Sequence, residues 1–407
     1  MTDRPHGLKD LFGSIPDSKN EAPRPASDMR SPSTTSGTDE GHSPSGRGAP
    51  GAPVIDIPGG PAPDLPTMPD PAPGTLTAGG SAAQGTAPLS VVLVALRGWS
   101  SVRRTVEALG LQTEAAMIDL LLVSPGPLDG QLPTGALRSV SVVSVPDDAG
   151  YAEAAAAGLR AAQGDLIALL DDYAFPAVDW AEAVISHRLA RFGALGSAYV
   201  NANPRSPHSW SHMLIEYGRW RDGLAGGEVD ALPSRNLVFR RDVLASMQDD
   251  LAALLSHDGA LIERLRRQNL PLLMDDGARV GILNPSTMKG ALGARFAAGR
   301  LAAAQESRSI GLPKRTAKAV GSLLGAHRNY RRSRGSIFAG SDPTVNPKRH
   351  GRAVMLGILS EGAGRAAGYL RGAGKAAENR ARLDTDRTAL LNKTDRRQFG
   401  PDKPKRR

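Results

Sequence analysis

The sequence predicts an α/β domain at about residues 88–285, a mostly parallel sheet with helices on both faces. Three observations carry this expectation: short continuous apolar runs, helical patterns between them, and the regular spacing at which the two alternate. Strands covered on both faces need no polar alternation, so unbroken β-branched runs mark them.

The first run is Ser90-Val91-Val92-Leu93-Val94-Ala95-Leu96. Gly98 follows, then Ser100 or Ser101 as the expected N-cap of a helix whose Val102, Val106 and Leu109 fall at helical spacing. A second run, Ile118–Val123, ends at Ser124-Pro125-Gly126-Pro127, and a third, Val140–Val145, ends at Pro146-Asp147-Asp148. Tyr151–Gln163 reads as an alanine-rich helix closed by Gly164 at its C-cap. The fourth strand, Asp165–Leu170, runs straight into Asp171-Asp172-Tyr173. Ligands on such sheets gather beyond the carboxyl ends of strands, which selects Leu96–Gly98, Ser124–Gly126 and Asp171–Tyr173 as one site. No G-x-G-x-x-G or G-x-x-x-x-G-K-[ST] lies near the first strand, which disfavours dinucleotide and P-loop chemistry.

Asp171 and Asp172 form a carboxylate pair at a strand end. A hard cation takes oxygen ligands and shares them with substrate phosphates, so such a pair suits a metal–diphosphate complex; capping the following turn is the structural alternative. Further on, Leu232–Leu244 forms a second element and His257–Arg266 a third, in which Asp258 opens an amphipathic helix carrying Leu261 and Leu265. A carboxylate there either takes a proton from an attacking hydroxyl or caps the helix. His208 and His212 flank Trp210 in a polar segment. With no third ligand in view, a surface or acceptor-loop position is expected for them. His257 reads as a neighbour of the base, and Trp210, Trp220 and Tyr217 as packing residues or a sugar platform.

Outside this domain the composition changes. Residues 1–87 are rich in Pro, Gly and Ser and poor in large apolar side chains, so a disordered region is expected. The chain has no cysteine, which excludes disulfides, thiolate metal sites and cysteine nucleophiles. Net charge is +9, but residues 313–407 alone carry 23 Lys and Arg against 7 Asp and Glu, leaving −7 for residues 1–312. Residues 301–375 read as a basic amphipathic helical extension, with Ala317, Val320, Leu323 and Leu324 beside Lys314, Arg315 and Lys318 and the cluster Arg328–Arg334 following. Such helices suit an anionic membrane surface better than nucleic acid. In 353–370, Glu361 and Arg365 interrupt the apolar run, so it is expected to lie on a membrane or on the catalytic domain rather than cross a bilayer. Residues 376–407 read as a disordered basic tail. With no signal pattern or membrane span, a cytoplasmic protein peripheral on the inner face of the membrane is expected.

The order of pieces resembles family 2 glycosyltransferases, bacterial enzymes of GT-A fold. The stretch S-V-V-L-V-A-L-R-G-W at 90–99, with Thr105, Leu109 and Gln112-Thr113, is similar to the family's first strand and helix. Gly158-Leu159, Ala162, Gly164-Asp165 and Leu170-Asp171-Asp172 resemble its G-L-x-x-A-x-G-[DE] segment and Asp-x-Asp-type metal motif. Glu216–Trp220 with Leu232–Arg241 looks like an acceptor-side region, and H-D-x-x-L-x-x-R-L at 257–265 is similar to the family's E-D-x-E-L-x-x-R-L helix. The resemblance covers about residues 88–300. It implies a GT-A-like enzyme using a nucleotide-sugar donor, Mg²⁺ or Mn²⁺ on Asp172, Asp171 near nucleotide or metal, Leu96, Gly98 and Ser124 at the donor, Asp258 as base, and a glycan or lipid-linked acceptor.

The chain departs from that pattern at several donor positions. Ser124 stands where the family often has a base-binding aspartate, Ala155-Ala156 where it often has Arg-Asn, and Ile282 where a late histidine is common. Each departure removes a charge or hydrogen bond from the donor site, so a non-catalytic GT-A-like binding or scaffold module is the alternative to an inverting glycosyltransferase.

Overall fold

β1 (Leu89–Val94) is buried along its entire length, as its unbroken apolar sequence requires. The structure, a computed structural model, describes residues 87–128, 136–257, 259–338 and 345–400. The disorder expected for 1–87 and the base assigned to Asp258 therefore fall outside the described residues, Ala87 excepted. After α1 (Trp99–Gly110) come β2 (Ile118–Ser124), β3 (Ser139–Ser144), α2 (Tyr151–Ala161), β4 (Leu166–Leu170) and β5 (Ala174–Pro176). α3 (Trp180–Ser186), β6 (Ala194–Asn201), α4 (Pro207–Glu216), β7 (Gly227–Glu228) and β8 (Leu237–Arg240) follow. α5 (Arg241–Ala245), α6 (Leu251–Ser256), α7 (Ala260–Arg267) and β9 (Leu272–Ile282) complete the central domain.

The strands form one sheet in the order β3-β2-β1-β4-β8-β6-β9-β5, with β7 on β9. β3, β2, β1 and β4 run parallel; β8 runs against β4 and β6, and β9 returns parallel to β6. This is the mostly parallel, two-faced α/β fold expected from the sequence. Alternate residues of each strand feed two cores: Val91, Leu93, Leu120 and Leu122 pack with Val102, Val106 and Trp180, while Val92, Val94, Leu121 and Val123 pack with Ala155, Leu159 and Leu265. Each large aliphatic side chain so buried contributes about 1.5–3 kcal/mol. α2 lies close on the sheet because Gly158 has no Cβ, which would overlap Val92 and Val123.

Two expected caps are realised differently. α1 starts at Trp99 with Gly98 as N-cap at φ 74°, and Ser101 donates its hydroxyl to the Gly98 carbonyl (2.9 Å) instead of capping. Gly164 is not a left-handed cap; α2 ends earlier, and Gly164 donates its N–H to Ser90 Oγ (2.9 Å), with Ser90 N 2.5 Å from where a Cβ would stand.

Beyond the sheet lie α8 (Met288–Glu306), α9 (Leu312–Phe338), α10 (Pro347–Arg371), α11 (Ala376–Thr385) and α12 (Lys393–Phe399). The domain boundary expected at 300 falls inside α8. α10 realises the second of its two expected placements: it packs on α4 and α8, where Ser211 Oγ donates to the Ala353 carbonyl (2.8 Å). α8 and α10 approach through a glycine seam, since a Cβ at Gly299, Gly364 or Gly368 would overlap backbone of the facing helix. Among the described residues no helix is long and apolar enough to cross a membrane.

Residues 376–400, expected as part of a disordered tail, are ordered in helices and turns that fold back onto the sheet. Two apolar anchors and one buried carboxylate hold them. Leu391 and Phe399 are buried, Phe399 stacks on Phe175 at 5.8 Å, and Asp395 accepts a hydrogen bond from Asn203 Nδ2 at 2.9 Å. The Leu390 carbonyl accepts the N–H groups of Ser286 and Thr287, both at 3.1 Å.

Candidate active site

The parallel register places the carboxyl ends of β2, β1 and β4 side by side, with Leu93 opposite both Leu122 and Leu170. Asp171 is the first residue after β4. β8 runs antiparallel to β4 with Leu169 opposite Leu237, so Asn236, just before β8, lies beside Asp171. Asn236 sits in the left-handed region at φ 57°, a conformation asparagine tolerates better than most residues. Its Oδ1 accepts the Asp171 N–H (2.8 Å) and its Nδ2 donates to Asp171 Oδ2 (3.0 Å). Tyr151 donates its hydroxyl to Asp171 Oδ1 (2.8 Å), and Arg235 Nη1 stands 3.3 Å from the same oxygen. The Arg235 guanidinium also lies over the Tyr151 ring, 4.2 Å from its centroid. Both Asp171 oxygens are thus filled from within the chain, which is how a carboxylate only 2% exposed is tolerated. Burial and the neighbouring Asp171 push the Tyr151 hydroxyl well above its usual range.

Asp172 is placed differently. It is half-buried, its backbone carbonyl accepts the Thr105 hydroxyl (3.2 Å), and its carboxylate makes no hydrogen bond among the described residues. Burial, then the adjacent Asp171, push its pKa up to about 7, against the pull of Arg97, Arg387 and Arg235. Those arginines arrive from three distant stretches. Arg97 follows β1 and pairs with Asp386 (3.3 Å); Arg235 precedes β8; Arg387 is buried with its guanidinium 4.0 Å from the Tyr173 ring centroid. One accessible carboxylate amid three guanidinium groups suits an anionic ligand.

The other expected site residues are found as follows. Leu96 and Gly98 lie in the loop after β1, where Gly98 N–H donates to the Ala95 carbonyl (3.0 Å). Ser124 ends β2, is 2% exposed, and accepts the Gly126 N–H at 3.4 Å. Asp258 is outside the described residues, but its neighbours His257 and Gly259 line a small cavity together with Tyr151 and Arg235. His257 is exposed and paired with Ser256 Oγ (2.8 Å). Ala155, Ala156 and Ile282 are all fully buried and serve packing.

His212 is not on the surface. It is 3% exposed, with Nδ1 2.9 Å from Asn284 Oδ1, while Trp210 and Tyr217 are buried packing residues. Burial, then Arg387 and Arg295, push the His212 pKa down to about 3. Among the described residues no three His, Asp or Glu side chains gather to hold a metal by themselves. Sequence reasoning did not single out Tyr151, Arg97, Arg235, Asn236 or Arg387. An Arg-Asn pair opening an apolar strand was the available signal for two of them; Arg387 had none.

No protein-family model and no curated protein matches the chain. Among solved structures it is similar to residues 1–349 of S. aureus TarS, at 12% identity and a TM-score of 0.35, covering 75% of this chain and 92% of that one. It is also similar to the mannosyltransferase PcManGT from Pyrobaculum calidifontis, solved in complex with GDP-Man and Mn²⁺, at 15% identity and a TM-score of 0.37, covering 78% and 84%. Against S. aureus TarS without that truncation the values are 14% and 0.35, covering 60% of this chain and 43% of that one. Likenesses this loose carry no argument about activity.

Proposed function

We propose that the chain is an inverting glycosyltransferase that moves a sugar from a nucleotide-diphosphate donor to a glycan or lipid-linked acceptor. The observation that carries this reading is Asp172, half-buried and without a hydrogen bond to its carboxylate among the described residues, within the electrostatic reach of Arg97, Arg235 and Arg387 at the carboxyl edge of a parallel sheet. A diphosphate uses both parts of that arrangement: guanidinium groups bind its oxygens, and a carboxylate shares a hard cation with them. Asp172 would hold such a cation against the donor diphosphate, since its carboxylate makes no hydrogen bond among the described residues. A bound Mg²⁺ or Mn²⁺ would neutralise the leaving diphosphate. Asp171, with its oxygens filled, acts by fixing the turn that presents Asp172, and the loops at Leu96, Gly98 and Ser124 border the nucleoside. Asp258 takes the acceptor hydroxyl proton as that oxygen bonds to the anomeric carbon and the sugar–phosphate bond breaks, its electron pair leaving with the diphosphate.

The filled coordination of Asp171 and the buried Ala155 and Ile282 favour a second reading, a GT-A-like module that binds without turnover. Calorimetry with a panel of nucleoside diphosphates, with and without Mn²⁺, separates the two. The wild type is expected to bind one of them with a dissociation constant on the order of 1 mM, Asp172→Asn to lose the metal-dependent part, and Asp258→Asn to bind as the wild type while turnover falls by about 10²- to 10⁴-fold. A wild type that binds no nucleoside diphosphate at all, with both variants indistinguishable from it, selects the non-catalytic module.

A further inference from the structure

α9 is held along one face only. Ala319, Gly325, Ala326 and Tyr330 are buried, whereas Leu312, Val320, Leu323 and Leu324 are 68, 50, 52 and 76% exposed. Isolated exposed leucines are ordinary on protein surfaces. Here Val320, Leu323 and Leu324 are three and four residues apart, so they share one side of the helix. The same helix carries seven Lys and Arg and not one Asp or Glu. Lys318 is engaged with Glu306 of α8, but Arg328, Arg331, Arg332 and Arg334 are exposed, one to three turns beyond the apolar stripe.

The combination decides which partner fits. A nucleic acid would use the arginines and leave the leucines in water, and an acidic protein surface offers carboxylates without the hydrocarbon that exposed leucines require. An anionic bilayer supplies phosphates and acyl chains at adjacent depths. At 1.5 Å rise per residue the helix is about 40 Å long, enough to lie across several lipid headgroups, and its charge rules out spanning.

We propose that α9 is an interfacial helix resting in the headgroup layer of an anionic membrane, with Val320, Leu323 and Leu324 in the acyl boundary and Arg328–Arg334 among the lipid phosphates. The inference is independent of the glycosyltransferase proposal, because none of these residues belongs to the site.

The test is sedimentation of the full chain with phosphatidylcholine vesicles and with vesicles that also contain phosphatidylglycerol. Binding should favour the anionic vesicles and weaken from about 0.1 to about 1 M salt. Replacing the four arginines by glutamine should lower partitioning by on the order of 10³-fold, since each cation near such a surface is worth about fivefold. Leu323→Glu with Leu324→Glu, at positions exposed enough to leave the fold intact, should lower it at least about tenfold. Equal binding to both vesicle types, or a leucine variant that binds as the wild type, overturns the proposal. Tighter binding to a nucleic-acid duplex than to vesicles, unaffected by the leucine variant, overturns it in favour of a nucleic-acid partner.

Discussion

His212 makes the described fold sensitive to mild acid, and the size of the effect follows from its surroundings. The Asn284 amide nitrogen is committed to Asn201 Oδ1 (3.1 Å) and to the Ile282 carbonyl (2.9 Å), so its oxygen faces His212 and the imidazole proton sits on Nδ1. Burial, Arg387 and Arg295 oppose a second proton, with Glu216 pulling the other way, and hold the pKa at about 3 against an ordinary 6.5. Between those values the unfolded chain takes up a proton that the folded chain refuses. The contribution of His212 to stability therefore falls as pH drops below about 6.5, by about 1.4 kcal/mol per unit, reaching a loss of about 2 kcal/mol at pH 5. Comparison with a variant isolates it from Asp172, whose raised pKa acts in the opposite direction over the same range. Glu216 does not interfere: burial works against its charge, but Arg295 and Arg380 outweigh it and hold its pKa below 4.5, so its contribution is lost only under that pH. His212→Gln keeps an amide donor for Asn284 and removes the titration. Urea midpoints of both proteins from pH 8 to pH 5 should show the wild-type advantage shrinking by about 2 kcal/mol. A constant difference across that range would refute a buried, neutral His212.

The glycine seam and the arginine ring yield further expectations. Gly364→Ala places a methyl against the Phe296 carbonyl and should destabilise by about 1–3 kcal/mol, whereas Gly293→Ala on α8 meets nothing within 4 Å and should stabilise by up to about 1 kcal/mol, both read from thermal unfolding. Arg387→Gln should weaken nucleoside diphosphate binding by about 10- to 10²-fold in calorimetry, with Arg387→Lys recovering part of it. Unchanged affinity in Arg387→Gln would reduce that residue to an anchor on Tyr173.

The sheet was legible because β1, β2 and β4 are covered on both faces and so spell themselves in continuous Val, Leu and Ile. The carboxylates at the end of β4 were legible for the same reason, since a charged pair ending an apolar strand stands out. What surrounds them was not. Asn236 and Arg235 reach Asp171 through an antiparallel pairing whose register is invisible in the local sequence. Gly164 looked like a cap and proved to be a close approach to Ser90, because local pattern cannot tell a left-handed glycine from one that merely lacks room. Residues 376–400 looked unable to fold because charge dominates their composition. Leu391, Phe399 and Asp395 suffice to seat them, since the rest of that surface is already formed by the sheet.

The position of Arg387 over Tyr173 also sets when the proposed site exists during synthesis. Arg97, Asp171 and Asp172 leave the ribosome with the first half of the described fold, while Arg387 follows more than two hundred residues after Asp172. At about 5–20 residues per second that interval is on the order of 10–40 s, longer than a domain of this kind needs to collapse. During it the nascent sheet carries its two carboxylates without their last cationic partner, and a chain interrupted before α12 lacks the anchors that seat Arg387. If the proposed function holds, the half that carries Asp171 and Asp172 binds an anionic donor more weakly until Arg387 has returned to it.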